Sequence, residues 1–364
     1  DLRMVAVSCS TDPKDPTYMV SVTEHGEMAD HLAIPGGVRI EVGKMRNKII
    51  NFLLLSRPSA VLVGTSGGFQ ARRLCRRLNE IIAEAVERWA RRDIQREDED
   101  EEDFQSRQMT FDKFLPSNMP GMDDEDDEDI DWKCNADLID DSVSQVFGHS
   151  PRGKKEFPDH APALRIAISA ARYAKDPLAE LAYSWNVASD TGLFGTELLY
   201  INIHPMQQLL KRFKGPLLLR HYERTLCDVV ADVGADVNKC CEYNHLQGLL
   251  TFVSGLGPRK AAYLKQRIEQ LGSLVPSRRS LLENRFMGPV VYNNSIAFLR
   301  IYHVDEHSSN QFQLHPLDST RLHPDVYQKN NWASKIATDA LERAEEGARN
   351  KEQAGIKALR DVME

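Results

Sequence analysis

Two glycines and two basic residues in the segment 249–272 carry the clearest chemical signal in this sequence. Glycines allow a tight turn and let the backbone approach a ligand closely. The N–H groups at the start of a following helix have no partner within that helix, so they can bind an anion. We therefore predict a contact to the phosphate backbone of a nucleic acid, made without reading bases. The candidate site residues are Gly255, Leu256, Gly257, Arg259, Lys260 and Ala261.

Two amphipathic helices must position these residues. Apolar residues such as Phe252 and Val253 precede the glycine turn, and Leu264 and Ile268 continue an apolar face beyond it. This order is typical of a helix-hairpin-helix motif. A second, weaker copy is predicted at 281–299, with 287–289 as its turn. The alternative interpretation is an ordinary helical corner whose surface happens to be basic.

The net charge of −8 hides a separation of acidic and basic residues. Residues 93–131 contain 17 Asp or Glu and 3 Lys or Arg. Residues 254–285 contain 7 Lys or Arg and 2 Glu. The basic stretch predicts a polyanionic partner. The acidic stretch predicts a disordered, solvated insertion, with a docking site for a basic protein such as a histone as the alternative.

The 364 residues are enough for two or three domains. Residues 1–205 show three strands, a helix, an apolar strand and a long helix, which is the order of a mixed α/β, ribonuclease H-like fold. The insertion 93–131 interrupts this domain, and a last strand is predicted at 198–203. Residues 206–302 are predicted to form an all-α domain of tandem helix-hairpin-helix motifs.

A metal-dependent nuclease is the alternative function for the first domain. Ribonuclease H-like nucleases hold two divalent metals with carboxylates on the first strand, at the end of the fourth strand and on a late helix. Residues 4–10 contain no acid, and the fourth strand ends in the sequence Gly64-Thr65-Ser66. Asp140, Asp141 and Asp176 therefore lack partner carboxylates. No catalytic residue, metal ligand or cofactor is predicted.

Hydropathy and cysteine spacing indicate whether the chain meets a membrane and whether its thiols are oxidised. No apolar run reaches membrane-spanning length, and no signal peptide opens the chain, so no membrane partner is expected. The six cysteines show no CxxC pair or zinc spacing, which predicts reduced thiols in an intracellular protein. The adjacent Cys240 and Cys241 are interpreted as packing residues, with a redox pair as the alternative.

Five segments that follow one another in a fixed order resemble a known family. Together they resemble the core of the bacterial Tex proteins and of their eukaryotic relatives, the suppressor-of-Ty-six transcription elongation factors and histone chaperones. The resemblance covers nearly the whole chain except 93–131, and the acidic insertion is similar to the eukaryotic members. The segments are DPLAEL (176–181), ADVNKCCEY (235–243), VSGLGPRKA (253–261), MGPVVYNNSIAFLRI (287–301) and LDSTRLHPDVY (317–327).

This resemblance implies a YqgF-type ribonuclease H-like domain without nuclease residues, followed by the tandem helix-hairpin-helix domain. It implies that residues 303–364 hold a linker and the start of a death-like helical domain. It also implies a nuclear, non-catalytic scaffold. The implied partners are nucleic acid, bound weakly and independently of sequence, the RNA polymerase II elongation complex, and histones or nucleosomes.

Overall fold

The computed structural model describes residues 3–36 apart from 11 and 13, residue 40, and residues 43–97, 132–185, 197–201, 203–271, 274–302 and 315–329, with isolated positions at 335, 336, 340 and 343. The chain divides into two compact units, Asp1–Pro177 and Leu178–Glu364. The sequence places the first boundary at residue 205, and the limits of the predicted domains stay predictions.

A five-stranded mixed sheet forms the centre of the first unit. Its strands follow the order β3-β2-β1-β4-β5. The first three strands along the chain pair antiparallel, whereas β4 lies parallel to both β1 and β5. Gly26, at φ +83°, closes the hairpin between the second and third strands. The strands are β1 Met4–Ser8, β2 Thr17–Val22, β3 Met28–Ile34, β4 Ala60–Gly64 and β5 Asn135–Ile139.

Helices cover both faces of this sheet. Successive residues of a strand point to opposite faces. Val5 and Val7 accordingly belong to the core beneath α1 and α2, while Ala6 belongs to the core beneath α5. The predicted mixed α/β domain is thereby confirmed, while its ribonuclease H-like assignment stays a prediction. The helices of this unit are α1 Gly43–Ser56, α2 Phe69–Glu97, α3 Ser142–His149, α4 Pro151–Glu156 and α5 Pro162–Lys175.

The second unit is mainly helical. Its longest helix, α7, bends at Lys214, whose φ and ψ are −141° and 37°. Pro216 follows and cannot continue the backbone bonding of the helix, which explains the bend. Two short strands, β6 Ala235–Asp236 and β7 Leu299–Arg300, pair in parallel. The helices are α6 Pro177–Trp185, α7 Gln207–Val233, α8 Val237–Glu242, α9 Gly248–Phe252, α10 Gly257–Leu271, α11 Ser280–Glu283, α12 Pro289–Ser295 and α13 Pro324–Lys329.

The predicted last strand at 198–203 is wrong. Residues 197–200 form a 3₁₀ turn instead. The side-chain amide of Gln207 donates to the carbonyl oxygen of Ile201 at 2.6 Å and also reaches those of Leu198 and Leu199. These bonds satisfy the backbone carbonyls that a strand would have paired in a sheet.

The acidic insertion begins later than predicted, because α2 continues to Glu97. Residues 98–131 lie outside the described residues, and most of the predicted C-terminal helices do too. The chain returns to the sheet at Trp132, whose indole N–H donates to the carbonyl oxygen of Pro58 at 2.9 Å. None of the described helices combines the length and apolar character needed to cross a membrane.

Candidate nucleic-acid interface

Two glycines with positive φ build the turn between α9 and α10. Gly255 has φ +91° and Gly257 has φ +70°, values at which a residue with a Cβ is strained. A Cβ on Gly255 would lie 3.1 Å from the Cβ of Asn294 on α12. A Cβ on Gly257 would have no atom of the described residues within 4 Å. Gly255 therefore permits packing of the two hairpins, whereas Gly257 leaves the backbone open to a ligand.

Leu256 anchors the turn from the inside. Its side chain is buried, and its N–H donates to the carbonyl oxygen of Val253 at 3.0 Å. This bond corrects the expectation that the N–H of Leu256 is available to a ligand. Pro258 has no N–H group. The backbone donors left for an anion at the start of α10 are therefore the N–H groups of Gly257 and Arg259.

Arg259 and Lys260 are both exposed in the first turn of α10. The ammonium of Lys260 donates to the carbonyl oxygen of Gly255 at 2.9 Å, so this side chain closes the turn. The side chain of Arg259 makes no hydrogen bond or ion pair with any residue that the structure describes. Cations at a helix N-terminus are unfavourable for the helix itself. Lys260 is thus explained in part by the turn that it closes, whereas helix stability does not account for Arg259 and an anionic ligand does.

Ala261 belongs to the core and not to the surface. It is 3% exposed, and with Leu264 and Ile268 it forms the face of α10 that packs in the interior. A small side chain at this position suits the close packing of α9 and α10. Its side chain is thus not available to a ligand, and the contact of Ala261 with nucleic acid stays a prediction.

The second hairpin has the predicted turn, but an arginine and not a glycine adopts the positive φ there. Two backbone bonds close the end of α11, from Phe286 N–H to Leu281 O and from Arg285 N–H to Leu282 O, each at 3.1 Å. Arg285 has φ +53°, a conformation that glycine usually supplies at such helix ends. The predicted turn 287–289 then links α11 to α12.

Only part of the basic surplus at 254–285 reaches the surface. Arg278 is fully buried. The ammonium of Lys265 donates to Asn244 Oδ1 at 3.1 Å and to Gln247 Oε1 at 3.0 Å, so it fastens α10 to the preceding loop. The exposed basic residues in this stretch are Arg259, Lys260, Arg279 and Arg285.

Arg278 fastens the segment 315–329 to the hairpin region. Its guanidinium donates to the carbonyl oxygens of Leu299 at 2.9 Å and Leu322 at 2.7 Å, and also to that of Thr320. The sequence predicts a linker at 315–329 and gives no sign that Arg278 binds this segment. Its bonding partners lie 21 to 44 residues away, so no local sequence pattern indicates its role.

Asp318 completes this attachment. The backbone N–H of Arg278 donates to one carboxylate oxygen of Asp318 at 3.0 Å, and the hydroxyl of Tyr327 donates to the other. Burial raises the pKa of Tyr327, and the hydrogen bond to Asp318 raises it further. The phenol therefore remains protonated and stays a donor.

At the edge of the sheet where a nuclease would hold its metals, the carboxylate of Asp141 is engaged by protein hydrogen bonds. Asp141 is 2% exposed and accepts from the hydroxyl of Ser66 at 2.6 Å, the N–H of Ser66 at 2.9 Å and the amide of Gln145 at 2.9 Å. Asp140 accepts from Ser142 N–H, and Asp176 lies between α5 and α6. Among the described residues, no three His, Cys, Asp or Glu side chains are placed to hold a metal.

The cysteines are free thiols, and burial suppresses the ionisation of Cys134 and Cys241. Burial raises the pKa of Cys134 to about 11 and that of Cys241 to about 12. Cys240 and Cys241 are both buried in α8. A thiol with so high a pKa is a weak nucleophile at neutral pH, which favours the packing interpretation of this pair.

Comparisons with known proteins agree with the hairpin geometry. A model of the helix-hairpin-helix motif matches residues 196–302. The "Suppressor of Ty 6 homolog" of Caenorhabditis elegans is 35% identical over 205 residues, which are 56% of this chain and 13% of that protein. The "Transcription elongation factor spt6" of Aspergillus fumigatus is 30% identical over 356 residues, which are 94% of this chain and 22% of that protein.

A Drosophila melanogaster protein, "Transcription elongation factor SPT6", is 24% identical over 373 residues, covering all of this chain and 17% of that protein. The chain thus spans between 13% and 22% of the length of these relatives. The relation to the bacterial Tex proteins stays a prediction. The relatives from a fungus, a worm and a fly all belong to one group of proteins. The chain is a homologue of these suppressor-of-Ty-six proteins.

Proposed function

We propose that this chain is the non-catalytic core scaffold of a nuclear transcription elongation factor and histone chaperone, and that its first hairpin contacts the nucleic-acid backbone. The names of the fungal and fly relatives support the role in elongation. The observation that carries the contact is the turn itself. Gly257 leaves the backbone open, and the unbonded cation of Arg259 lies two residues further on.

We also propose that residues 1–205 form a YqgF-type ribonuclease H-like domain, that 206–302 form the tandem hairpin domain, and that 303–364 lead into a death-like helical domain. The strand order of the sheet supports the first assignment. The attachment of 315–329 through Arg278 extends the packed hairpin region beyond residue 302.

A nuclease role is not favoured. The carboxylate of Asp141 already accepts four protein hydrogen bonds, and β1 contains no acid that could share a metal with it. The relatives are named as elongation factors and not as enzymes. We propose that the first domain acts as a scaffold.

The proposed partners are nucleic acid, the RNA polymerase II elongation complex and histones or nucleosomes. The acidic residues of 98–131 suit a basic partner such as a histone. The exposed cations of the first hairpin suit a phosphate backbone. No membrane partner is proposed.

A titration with a labelled duplex tests the hairpin contact. A hairpin neutralises few phosphates, so wild-type affinity should lie in the non-specific range, roughly 10⁻⁴ to 10⁻⁶ M. Arg259→Gln combined with Lys260→Gln should weaken binding severalfold. It should also lower the slope of log affinity against log salt by about one for each phosphate that the variant no longer neutralises.

The matched control is Lys154→Gln with Lys155→Gln on α4, which removes the same charge from exposed residues of the other unit. This control should bind as wild type does, and melting curves should show that both variants are folded. Equal affinities for the hairpin variant and wild type would mean that the hairpin is purely architectural.

A further inference from the structure

The first turns of α2 carry four arginines within six residues: Arg72, Arg73, Arg76 and Arg77. The surrounding residues 65–79 include no Asp or Glu. Cations near the N-terminus of a helix oppose its macrodipole. Neither local charge balance nor helix stability therefore explains this concentration of arginine, and the side chains of Arg72 and Arg76 are available for an anionic ligand.

Two of these arginines share one side of α2 with an exposed aromatic ring. Phe69 is 76% exposed, an unusual state for so large an apolar side chain. The spacing of three and seven residues places Arg72 and Arg76 on the same side of the helix as Phe69. All three side chains are exposed.

Arg88, further along α2, has an acidic partner. It pairs with Glu84 at 2.6 Å, one turn earlier on the same helix. By contrast, neither Arg72 nor Arg76 forms a side-chain hydrogen bond or ion pair with any described residue, although Glu80 lies one turn beyond Arg76. The side of α2 that exposes Phe69 therefore carries two unpaired guanidinium groups.

The other two arginines have a different environment. Arg73 and Arg77 line a cavity of about 250 Å³, which Asp12 and Asp15 also line. Asp15 accepts a hydrogen bond from Ser10 Oγ at 2.6 Å. These nearby carboxylates offset part of the positive charge there, so Arg73 and Arg77 flank the unpaired side and do not define it.

We propose that Phe69, Arg72 and Arg76 form a binding site for single-stranded nucleic acid. The exposed ring would stack on an unpaired base, and the two guanidinium groups would bind the neighbouring phosphates. A duplex hides the faces of its bases, so an aromatic platform contributes only when the strand is single. This site is separate from the hairpin, for which only backbone contacts are proposed.

Fluorescence anisotropy with a labelled oligothymidine of about 20 nucleotides, and with a duplex of equal length, tests the site at about 50 and 200 mM salt. Arg72→Gln with Arg76→Gln should weaken single-strand binding about tenfold at the lower salt. The salt slope should fall by about 1.4, which corresponds to two neutralised phosphates on a single strand. Phe69→Ala should weaken single-strand binding about tenfold and leave duplex binding unchanged.

Lys154→Gln with Lys155→Gln serves again as the charge-matched control and should bind both probes as wild type does. The hairpin variant should lose duplex affinity but keep the dependence of single-strand binding on Phe69, which separates this site from the proposed hairpin contact. The proposal fails if wild type does not bind the single strand, or if the arginine variant binds it no more weakly than the lysine control. Equal losses on both probes for Phe69→Ala would also overturn it.

Discussion

The guanidinium of Arg278 donates to carbonyl groups of Leu299, Thr320 and Leu322, which lie in two separate segments. It is fully buried, so each of these bonds replaces one that water would otherwise supply. A buried carbonyl left without a donor costs about 1–3 kcal/mol. At the scale of single residues, this side chain is the main attachment of 315–329.

Arg278→Met should therefore destabilise the second unit by about 3 kcal/mol or more, because the carbonyls of Leu299 and Leu322 lose this donor at once. Chemical denaturation should show the loss, and hydrogen exchange should rise at 315–329. The control is Arg279→Met at the next position. Arg279 is 66% exposed and, among the described residues, pairs only with Glu283, so its removal should cost at most about 0.5 kcal/mol. Similar losses for the two variants would contradict the role of Arg278.

At the scale of elements, the two glycines of the first hairpin have separable roles. Gly255→Ala and Gly257→Ala should each cost about 1–3 kcal/mol, since both positions have positive φ. Gly255→Ala should cost more, because its Cβ would also press on Asn294. Gly288→Ala is the control, since Gly288 has φ −74° and open space around it.

Thermal melting checks this order, with a shift of about 2–4 °C per kcal/mol for a unit of this size. Gly257→Ala should also weaken duplex binding more than its stability loss accounts for, because the added Cβ stands where the ligand approaches. A larger melting shift for Gly257→Ala than for Gly255→Ala would contradict this division of roles.

The elements were predictable where their signals are local. Pro216 breaks α7 through its own ring, and the glycines mark the hairpin turn, so the sequence indicates both. The strand predicted at 198–203 failed because Gln207, on the next element, supplies the bonds that keep those residues in a 3₁₀ turn. Likewise, the sequence places Ala261 in the predicted binding motif, and only the packed structure shows that its side chain is buried.

At the scale of the whole molecule, the acidic segment 98–131 should contribute little to stability but should repel nucleic acid over a distance. Replacing this segment by a Gly/Ser linker of about 12 residues should change the melting temperature by less than about 2 °C. Few apolar residues are available there to offset roughly 1–2 kcal/mol of backbone entropy per ordered residue. A fall of more than about 5 °C would show that the segment packs against the fold.

The same replacement should strengthen duplex binding at low salt and have little effect at high salt, because salt screens long-range repulsion between the acids and phosphate. Anisotropy titrations of both proteins at the two salt concentrations measure this difference. An increase in affinity that persists unchanged at high salt would point to direct competition for the binding surface instead.

The bond from the indole of Trp132 to the carbonyl of Pro58 fixes the chain where it re-enters the sheet. On the other side, α2 holds the chain as far as Glu97. With both ends secured by the fold, the number of residues between them is free to drift during evolution without shifting β4 or β5. The same position could accept a fluorescent reporter domain, which would make the protein visible in cells while leaving the hairpin and the exposed side of α2 untouched.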